Sequence, residues 1–366
     1  MALPVVEPEN YTTLLEEKAN RIRAQFTAFN PPELEVFGSP ASHYRMRAEF
    51  RLWHEGDDLF YVMFDVGEDP KTDRKTVRMD QYPVANERIN ELMPTLLDAI
   101  RDIPELRRRL FQVEFLTSQS GEALITLIYH RPLGDEWDVL ARDLQAKLGV
   151  SIIGRSRKQR VVLDVDYVIE TMQVGERTLE YQQVESSFTQ PNAALCEKML
   201  NWAVDVSKDI GGDLVELYCG NGNFTLALAE NFDYVVATEI SKTSVRSAHF
   251  NIERNRIDNV QVARVSSEEF SEALAGKTEM RRLEGFDLAN RNFTTVLVDP
   301  PRAGLDENTV KQIALYDHII YVSCNPDTLY DNLLELNKTH KVVRFALFDQ
   351  FPYTHHIESG VFLVRR

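Results

Sequence analysis

The sequence predicts an α/β protein that combines a small α+β domain with a doubly wound, Rossmann-like domain ending in an antiparallel hairpin. Its 366 residues exceed the roughly 150 residues of one typical domain. The apolar pattern also changes near residue 178, from strands that alternate apolar and polar residues to short, wholly apolar runs between helical segments. We therefore predict an N-terminal domain over 1–177 and a doubly wound domain over 178–366.

The first domain begins with a predicted amphipathic helix over 11–28, since apolar residues recur there at helical spacing and the breaker Asn30-Pro31-Pro32 follows. Segment 46–53 alternates apolar and polar residues, which is typical of a half-buried strand. The remaining strands are predicted over 58–64, 111–117 and 123–130, and the helices near 84–102 and 135–148.

The second domain contains apolar runs that are continuous rather than alternating, which favours a parallel sheet covered on both faces. Two later segments, 343–351 and 360–366, are close in sequence and predict an antiparallel hairpin that closes the sheet. The predicted parallel strands are 213–218, 234–239, 259–265, 294–300 and 319–324.

Composition and charge exclude several classes of protein. The formal net charge is −16, so the overall field repels polyanions unless basic residues are gathered on one face. Three scattered cysteines, Cys196, Cys219 and Cys324, are too few for a disulfide framework and indicate a reducing compartment. Neither a basic leader nor an apolar run of about 18 residues is present, and we expect a soluble cytoplasmic protein.

The first motif is YCGNGNF at 218–224, between a predicted strand and a predicted helix. Its glycines let the backbone approach a ligand, but Phe224 and Thr225 stand where a dinucleotide fingerprint needs a third glycine. Glu239 ends the next strand, roughly 20 residues after Gly220, where a carboxylate accepts hydrogen bonds from ribose hydroxyls. The pattern suits an adenosyl ligand without phosphates, such as S-adenosylmethionine.

Two further motifs end neighbouring predicted strands. In VDPPRAGL the prolines remove backbone donors and fix an extended turn that projects Asp299. In SCNP the thiol of Cys324 follows the next strand, so Asp299 and Cys324 should emerge side by side. This position indicates a nucleophilic cysteine rather than a packing residue.

The fourth motif, HHIES, enters the last strand. His355 and His356 are adjacent, and in an extended loop they would point to opposite sides, so we predict no metal site. Glu358 is a lone carboxylate before an apolar strand. Cys219 and Cys196 are predicted packing residues, because one lies in the glycine loop and the other in a predicted amphipathic helix.

Together with SFTQPN at 187–192, these motifs resemble the RNA uracil-5-methyltransferase family over nearly the whole chain. Relatives that modify ribosomal RNA generally add a TRAM domain and a cysteine-ligated iron–sulfur cluster. This chain has no cysteine before Cys196, so the tRNA branch is favoured and no cluster is expected. The resemblance implies methylation of uridine carbon 5 in the tRNA T-loop, at position 54, and in T-loop-like RNA such as tmRNA.

The resemblance also implies residue roles. Cys324 is the expected nucleophile toward carbon 6, Glu358 the expected base, and Asp299 is expected beside the flipped base or the cofactor. The positions that match the family's S-adenosylmethionine residues are Gln190, Tyr218, Gly220, Asn223, Glu239 and Asp299.

Docking of the tRNA T-arm requires local positive charge. Basic clusters occur at 107–109 and 154–160. The candidate RNA contacts are Arg45, Arg47 and Arg51, together with Phe111 as a base-stacking residue.

Alternatives stay open at this point. A methyltransferase acting on cytosine carbon 5 or on an amino group would share the fold, although an amino-group enzyme would leave Cys324 unused. An RNA-binding tRNA folding factor, with the second domain as a scaffold, belongs to a different class. No obligate protein partner is evident, and the sequence does not indicate the oligomeric state.

Overall fold

The computed structural model describes residues 3–66, 74–276 and 280–366. Its helices are α1 (Tyr11–Phe26), α2 (Glu87–Ile100), α3 (Pro104–Arg107), α4 (Asp135–Leu148), α5 (Ala193–Ser207), α6 (Asn223–Leu228), α7 (Lys242–Arg254), α8 (Ser267–Leu274), α9 (Glu307–Ile313) and α10 (Pro326–Leu336).

The strands are β1 (Glu35–Phe37), β2 (Arg47–Glu55), β3 (Asp58–Val66), β4 (Arg74–Arg78), β5 (Leu110–Thr117), β6 (Ala123–Tyr129), β7 (Ser151–Ser156), β8 (Gln159–Val162), β9 (Tyr167–Val174), β10 (Arg177–Val184), β11 (Asp213–Leu217), β12 (Tyr234–Thr238), β13 (Val260–Ala263), β14 (Phe293–Val298), β15 (His318–Ser323), β16 (His340–Phe348) and β17 (Glu358–Arg365).

The chain divides into two compact units that interleave along the sequence. The first unit comprises Met1–Pro8, Pro40–Thr171 and Gln183–Ala193, and the second comprises Glu9–Ser39, Met172–Gln182 and Ala194–Arg366. The boundary suggested by the sequence, between residues 177 and 178, falls at the start of β10. Helix α1 belongs to the second unit, because its apolar face is buried in that unit's core.

The first unit contains a seven-stranded sheet in the order β4-β3-β2-β5-β6-β7-β8. Helices α2 and α4 cover one face, where Trp137 is fully buried. The predicted strands at 46–53, 58–64, 111–117 and 123–130 are confirmed as β2, β3, β5 and β6. Strands β4, β7 and β8 of this sheet were missed; β4 and β8 are short polar stretches that carry little apolar periodicity, and β7 has only a short apolar run.

The second unit contains an eight-stranded sheet in the order β1-β16-β17-β15-β14-β11-β12-β13. Strands β11 to β15 are parallel, and β17 is antiparallel to both β15 and β16. The predicted doubly wound domain and its antiparallel hairpin are therefore confirmed. The hairpin does not close the sheet, because β1 pairs in parallel with β16 at the edge.

Helix α1 is fixed to the second unit by aromatic packing. Phe26 lies 5.2 Å from Phe345 and 5.9 Å from Tyr330 between ring centroids. Burial of one such ring contributes about 1.5–3 kcal/mol.

Within the described ranges, each helix is too short or too polar to cross a membrane.

Gly154→Ala is expected to destabilise the first unit by about 1–3 kcal/mol, since overpacking of a filled core has that cost. A Cβ atom at Gly154 in β7 would overlap the buried indole ring of Trp137. Chemical denaturation followed by circular dichroism measures the loss. Ser151→Ala in the same strand is the control, and an equal effect of the two variants would contradict the packing argument.

Candidate active site

Three ionisable residues meet at one end of the second unit's sheet. Asp299 follows β14, Cys324 follows β15, and Glu358 begins β17. Ser323 pairs with Ser359 in the antiparallel register, so the next pair along brings Cys324 opposite Glu358. Because β14 and β15 pair in parallel, with Val298 opposite Tyr321, Asp299 and Cys324 leave neighbouring strands at the same edge of the sheet.

The local sequence explains why Cys324 ends its strand. The Asn325 side chain caps α10 by accepting a hydrogen bond from the Asp327 backbone N–H at 3.2 Å, and Pro326 is the first helical residue. The chain therefore turns directly after the cysteine, which is half-buried. Cys324 lines a cleft of about 160 Å³ whose other walls include Arg21, Gln25, Arg302, His355 and His356.

The Cys324 thiol is protonated at neutral pH. Burial, followed by the neighbouring carboxyl groups of Glu358 and Asp299, raises the pKa of Cys324 to about 11, while Arg302 opposes the shift. A thiolate is the nucleophilic form of cysteine. Attack by this residue therefore requires that a neighbouring group accept the thiol proton.

The carboxyl groups of Asp299 and Glu358 are suited to accept that proton. Burial raises the pKa of Asp299 to about 7. Glu358 is only 4% exposed, and burial followed by repulsion from Asp299 raises the pKa of Glu358 well above its usual range. Two carboxylates with raised pKa values bind a proton more tightly than exposed carboxylates do, so both are suited to act as a base.

The glycine loop lies at the carboxyl end of β11. Tyr218, Gly220 and Gly222 have φ values of 64°, 57° and 83°, a left-handed backbone that favours glycine. A Cβ atom at Gly220 would have no neighbour within 4 Å. The loop therefore presents its backbone to open space, as a ligand-binding turn requires.

Glu239 is fixed beside this loop. One carboxylate oxygen accepts hydrogen bonds from the backbone N–H groups of Ile240 at 2.8 Å and Ser241 at 2.7 Å, and the other accepts from Gly220 at 3.1 Å. A carboxylate has about four acceptor positions, so at least one is available for a ribose hydroxyl. The open loop and this carboxylate fit an adenosyl ligand.

Two further predicted cofactor residues, Tyr218 and Asn223, belong to the 218–224 motif, and their side chains form hydrogen bonds within the protein. The Asn223 amide donates to the Cys196 sulfur at 3.3 Å, and the Tyr218 hydroxyl lies 3.0 Å from the Ser267 hydroxyl. Both Cys196 and Cys219 are buried, which agrees with their predicted packing role.

A buried carboxyl group on β11 was missed. Glu216 is 1% exposed, and burial raises the pKa of Glu216 to about 8 while a 2.5 Å hydrogen bond from Thr225 opposes the shift. A charged residue inside an apolar strand is a signal that the sequence did contain. The charges of Asp299 and Glu239 contribute to the raised pKa of Glu216, so this buried carboxyl group interacts with both predicted site residues.

The geometry of the two histidines corrects one expectation. The rings of His355 and His356 lie 4.3 Å apart between centroids, so the prediction that they point to opposite sides is wrong. The reason is that the segment turns, as the hydrogen bond from Thr354 N–H to Phe351 oxygen indicates. Across the described residues, no group of three potential ligands is arranged to hold a metal ion.

The other predicted contacts belong to the first unit. Gln190 lies in the loop after β10, Arg45 precedes β2, and Arg47 and Arg51 lie in β2. Three carboxylates face Arg47, and burial lowers the pKa of Arg47. Arg47 therefore offers little uncompensated charge to a phosphate. The carboxylates are those of Glu114, Glu185 and Glu49.

Phe111 has neighbours on both ring faces. The Arg51 guanidinium carbon lies 3.9 Å from its centroid, and the His130 ring stacks at the same centroid distance. Two groups at that distance can only occupy opposite faces. A base cannot stack directly on Phe111 in this arrangement, whereas the exposed His130 ring has an outer face.

The basic segment 154–160 is partly neutralised. Arg155 pairs with Glu185 at 2.5 Å, and Arg160 pairs with Asp166 at 2.8 Å. Arg157 and Lys158, at the turn between β7 and β8, are exposed and form no ion pair with any residue that the structure describes. The positive charge is therefore concentrated at this turn.

Comparison with known proteins identifies the chain. A family model described as tRNA (Uracil-5-)-methyltransferase matches residues 10–366. The chain belongs to this family. The family predicted from the sequence is thereby confirmed, together with the assignment of the chain as a methyltransferase.

Relatives of this methyltransferase match along their whole length. The chain is 62% identical over 368 residues to the tRNA/tmRNA (uracil-C(5))-methyltransferase of Chromohalobacter salexigens, covering 100% of this chain and 98% of the relative. It is 55% identical to the protein of that name from Vibrio parahaemolyticus, with both chains fully covered.

A solved structure shares the fold of this methyltransferase. The tRNA (uracil-54, C5)-methyltransferase of Pyrococcus abyssi, in complex with S-adenosyl-L-homocysteine, superposes with a TM-score of 0.70 and 22% identity over 97% of this chain and 84% of that one. The predicted Rossmann-like fold is confirmed.

Cys324 is expected to react with iodoacetamide at a rate that rises about tenfold per pH unit between pH 7 and pH 10. The reason is that the thiolate fraction increases in that proportion below a pKa of about 11. Mass spectrometry of the Cys324 peptide measures the rate, with buried Cys196 and Cys219 as unlabelled internal controls. A rate that levels off near pH 8 would contradict the raised pKa.

Proposed function

We propose that this methyltransferase uses S-adenosylmethionine to methylate carbon 5 of a uridine in tRNA, at position 54 of the T-loop, and in tmRNA. Membership of the family and the names of its relatives support this substrate class. The observation that carries the mechanism is the half-buried Cys324 thiol, opposite Glu358 and beside Asp299 at an open cleft.

The first step makes carbon 5 reactive. Uracil carbonyls withdraw electron density, so carbon 5 of the free base is a poor nucleophile. As the Cys324 sulfur bonds to carbon 6, an electron pair moves toward carbon 5 and the neighbouring carbonyl, forming an enolate. The thiol proton passes to the carboxylate of Asp299, whose raised pKa favours its acceptance, and the Glu358 carboxylate remains available for the next step.

The second step releases the product. Once carbon 5 carries both a methyl group and a hydrogen atom, Glu358 takes that hydrogen as a proton. The electron pair left behind forms the double bond between carbons 5 and 6, and the bond from carbon 6 to sulfur breaks. The proton held by Asp299 returns to the leaving sulfur, which restores the Cys324 thiol.

The adenosyl group is assigned to the glycine loop. Glu239 would accept hydrogen bonds from the ribose, and the open backbone at Gly220 would lie against the ligand. Tyr218, Asn223 and Asp299 would complete the site, and Gln190 is assigned to it by resemblance. When bound, S-adenosylmethionine supplies an electrophilic methyl group.

The first unit is assigned to RNA docking. Arg51, Phe111 and His130 form a column of stacked side chains, and a displaced base would stack on the outer face of His130. Arg157 and Lys158 would contact phosphates at the same groove, since they line one cavity of about 950 Å³ together with Phe111 and His130. Extraction of a stacked base costs a few kcal/mol, and these contacts would offset it. A tRNA substrate places the reaction in the cytoplasm.

The direct test is incubation of the protein with methyl-labelled S-adenosylmethionine and unmodified tRNA, followed by nucleoside analysis. Label in 5-methyluridine at position 54 is the expected result. A transcript with cytidine at that position is the matched control and should stay unlabelled. Label in 5-methylcytidine or on an amino group would refute the assignment.

Cys324→Ala is expected to reduce methylation by at least about 10³-fold, because carbon 5 is no longer activated. Binding of tRNA and of S-adenosylmethionine, measured by filter retention and calorimetry, should stay within about threefold of the unmodified protein. Turnover that persists in this variant would rule out the covalent route.

Glu358→Gln is expected to trap a methylated covalent complex of protein and RNA, because the amide cannot take the carbon 5 proton. Denaturing gel electrophoresis with labelled methyl groups detects the complex. Glu307→Gln, an exposed glutamate on α9, is the control and should turn over normally. Normal product release by Glu358→Gln would contradict the role of this carboxylate.

A further inference from the structure

A buried ammonium group lies beside the loop that carries Glu358. Lys18 of α1 is 8% exposed. Its Nζ atom donates to the Asp349 carboxylate at 2.6 Å, to the Phe351 carbonyl at 2.9 Å and to the His356 carbonyl at 3.1 Å. An ammonium group has three donors, so all three are engaged within one short segment.

These acceptors lie along the connection between β16 and β17. Asp349 directly follows Phe348, the last residue of β16, and His356 precedes Glu358 by two positions. Asp349 is 1% exposed, and its charge is balanced by Lys18. One cation therefore holds both ends of the segment that delivers Glu358 into the site.

The same face of α1 contacts both the loop before Glu358 and the loop after Cys324. Arg21 donates to the His355 carbonyl at 2.7 Å, and Gln25 donates to the Asp327 carboxylate at 2.8 Å. Lys18, Arg21 and Gln25 recur at helical spacing, so they form one stripe. Asp327 lies in the first turn of α10, three residues after Cys324. The stripe therefore contacts the segments on both sides of the cleft.

We propose that α1 is a positioning element of the active site, in which Lys18 fixes Glu358 relative to Cys324. Lys18 does not touch the reacting atoms in this proposal and acts through the 349–357 segment. The proposal rests on the assigned roles of Cys324 and Glu358. Its physical basis is that a helix hydrogen-bonded to both loops restricts the movement of the Glu358 carboxylate relative to the Cys324 thiol.

The two catalytic steps differ in their dependence on this arrangement. Attack by Cys324 and methylation of carbon 5 need the thiol, whereas release needs the Glu358 carboxylate within hydrogen-bond reach of the carbon 5 proton. A misplacement of about 1 Å can cost roughly 100-fold in rate. Loss of Lys18 should therefore slow release more than it slows formation of the covalent complex.

Lys18→Met is the test variant, because methionine keeps the length of the side chain and removes the charge and the donors. We expect kcat to fall at least tenfold, KM for tRNA and for S-adenosylmethionine to change less than about threefold, and the methylated covalent complex to accumulate on denaturing gels. Lys18→Arg, which retains donors and charge, should recover part of kcat. Arg23→Met removes an exposed cation of the same helix and should behave like the unmodified protein.

Unchanged turnover of Lys18→Met would overturn the proposal, and so would slower turnover without accumulated complex, since that pattern indicates a general structural role. If Lys18→Met does not fold, Arg21→Gln provides the same readout through an exposed side chain, and absence of the complex there overturns the proposal. Failure of the unmodified protein to form 5-methyluridine would instead refute the proposed function.

Discussion

Burial of ionisable groups at one end of an apolar sheet is the constraint on which this site depends. Asp299 and Cys324 directly follow β14 and β15, and Glu358 begins β17; most residues of these three strands are buried, so water that would stabilise the charged forms of the three groups is largely excluded. The result is a thiol that keeps its proton and two carboxylates whose raised pKa values make them stronger proton acceptors than exposed carboxylates. Proton exchange within the cluster is favoured over ionisation of any one member, which suits a reaction that moves one proton off sulfur and another off carbon.

Most of the site could be predicted from the sequence because its residues follow strands with a clear apolar signature. The glycine loop, Asp299 and Cys324 each follow a predicted strand, and parallel topology brings such strand ends together. Glu358 begins the last strand and is brought to the site by the antiparallel pairing of β17 with β15. The role of α1 could not be predicted in this way. Lys18 and Asp349 are 331 positions apart, and no periodicity reports a contact between segments so distant in the chain. The occupied faces of Phe111 escaped prediction for the same reason, since Arg51 and His130 reach it from other strands.

Net charge is a weak guide to the RNA partner that we propose for this protein. The overall charge of −16 argues against a polyanion, yet the first unit has exposed cations at the turn between β7 and β8 and pairs the neighbouring Arg155 and Arg160 with carboxylates. Ion pairing thus determines which basic residues can attract an anionic ligand. Arg155 and Arg160 both form ion pairs with Glu185, whereas Arg157 and Lys158 lie at the exposed turn without such a pair among the described residues. The distribution of unpaired charge, rather than its sum, decides what such a surface attracts.

The interleaved units have a consequence for how the protein is made. The chain passes between the units five times, and strand β1 pairs with β16, close to the other terminus. A ribosome releases residues 9–39 long before their partners near 340–350 are synthesised, so α1 and β1 cannot form their native contacts during most of translation. The second unit therefore cannot fold domain by domain during synthesis, and its candidate active site forms only when roughly the last thirty residues have emerged.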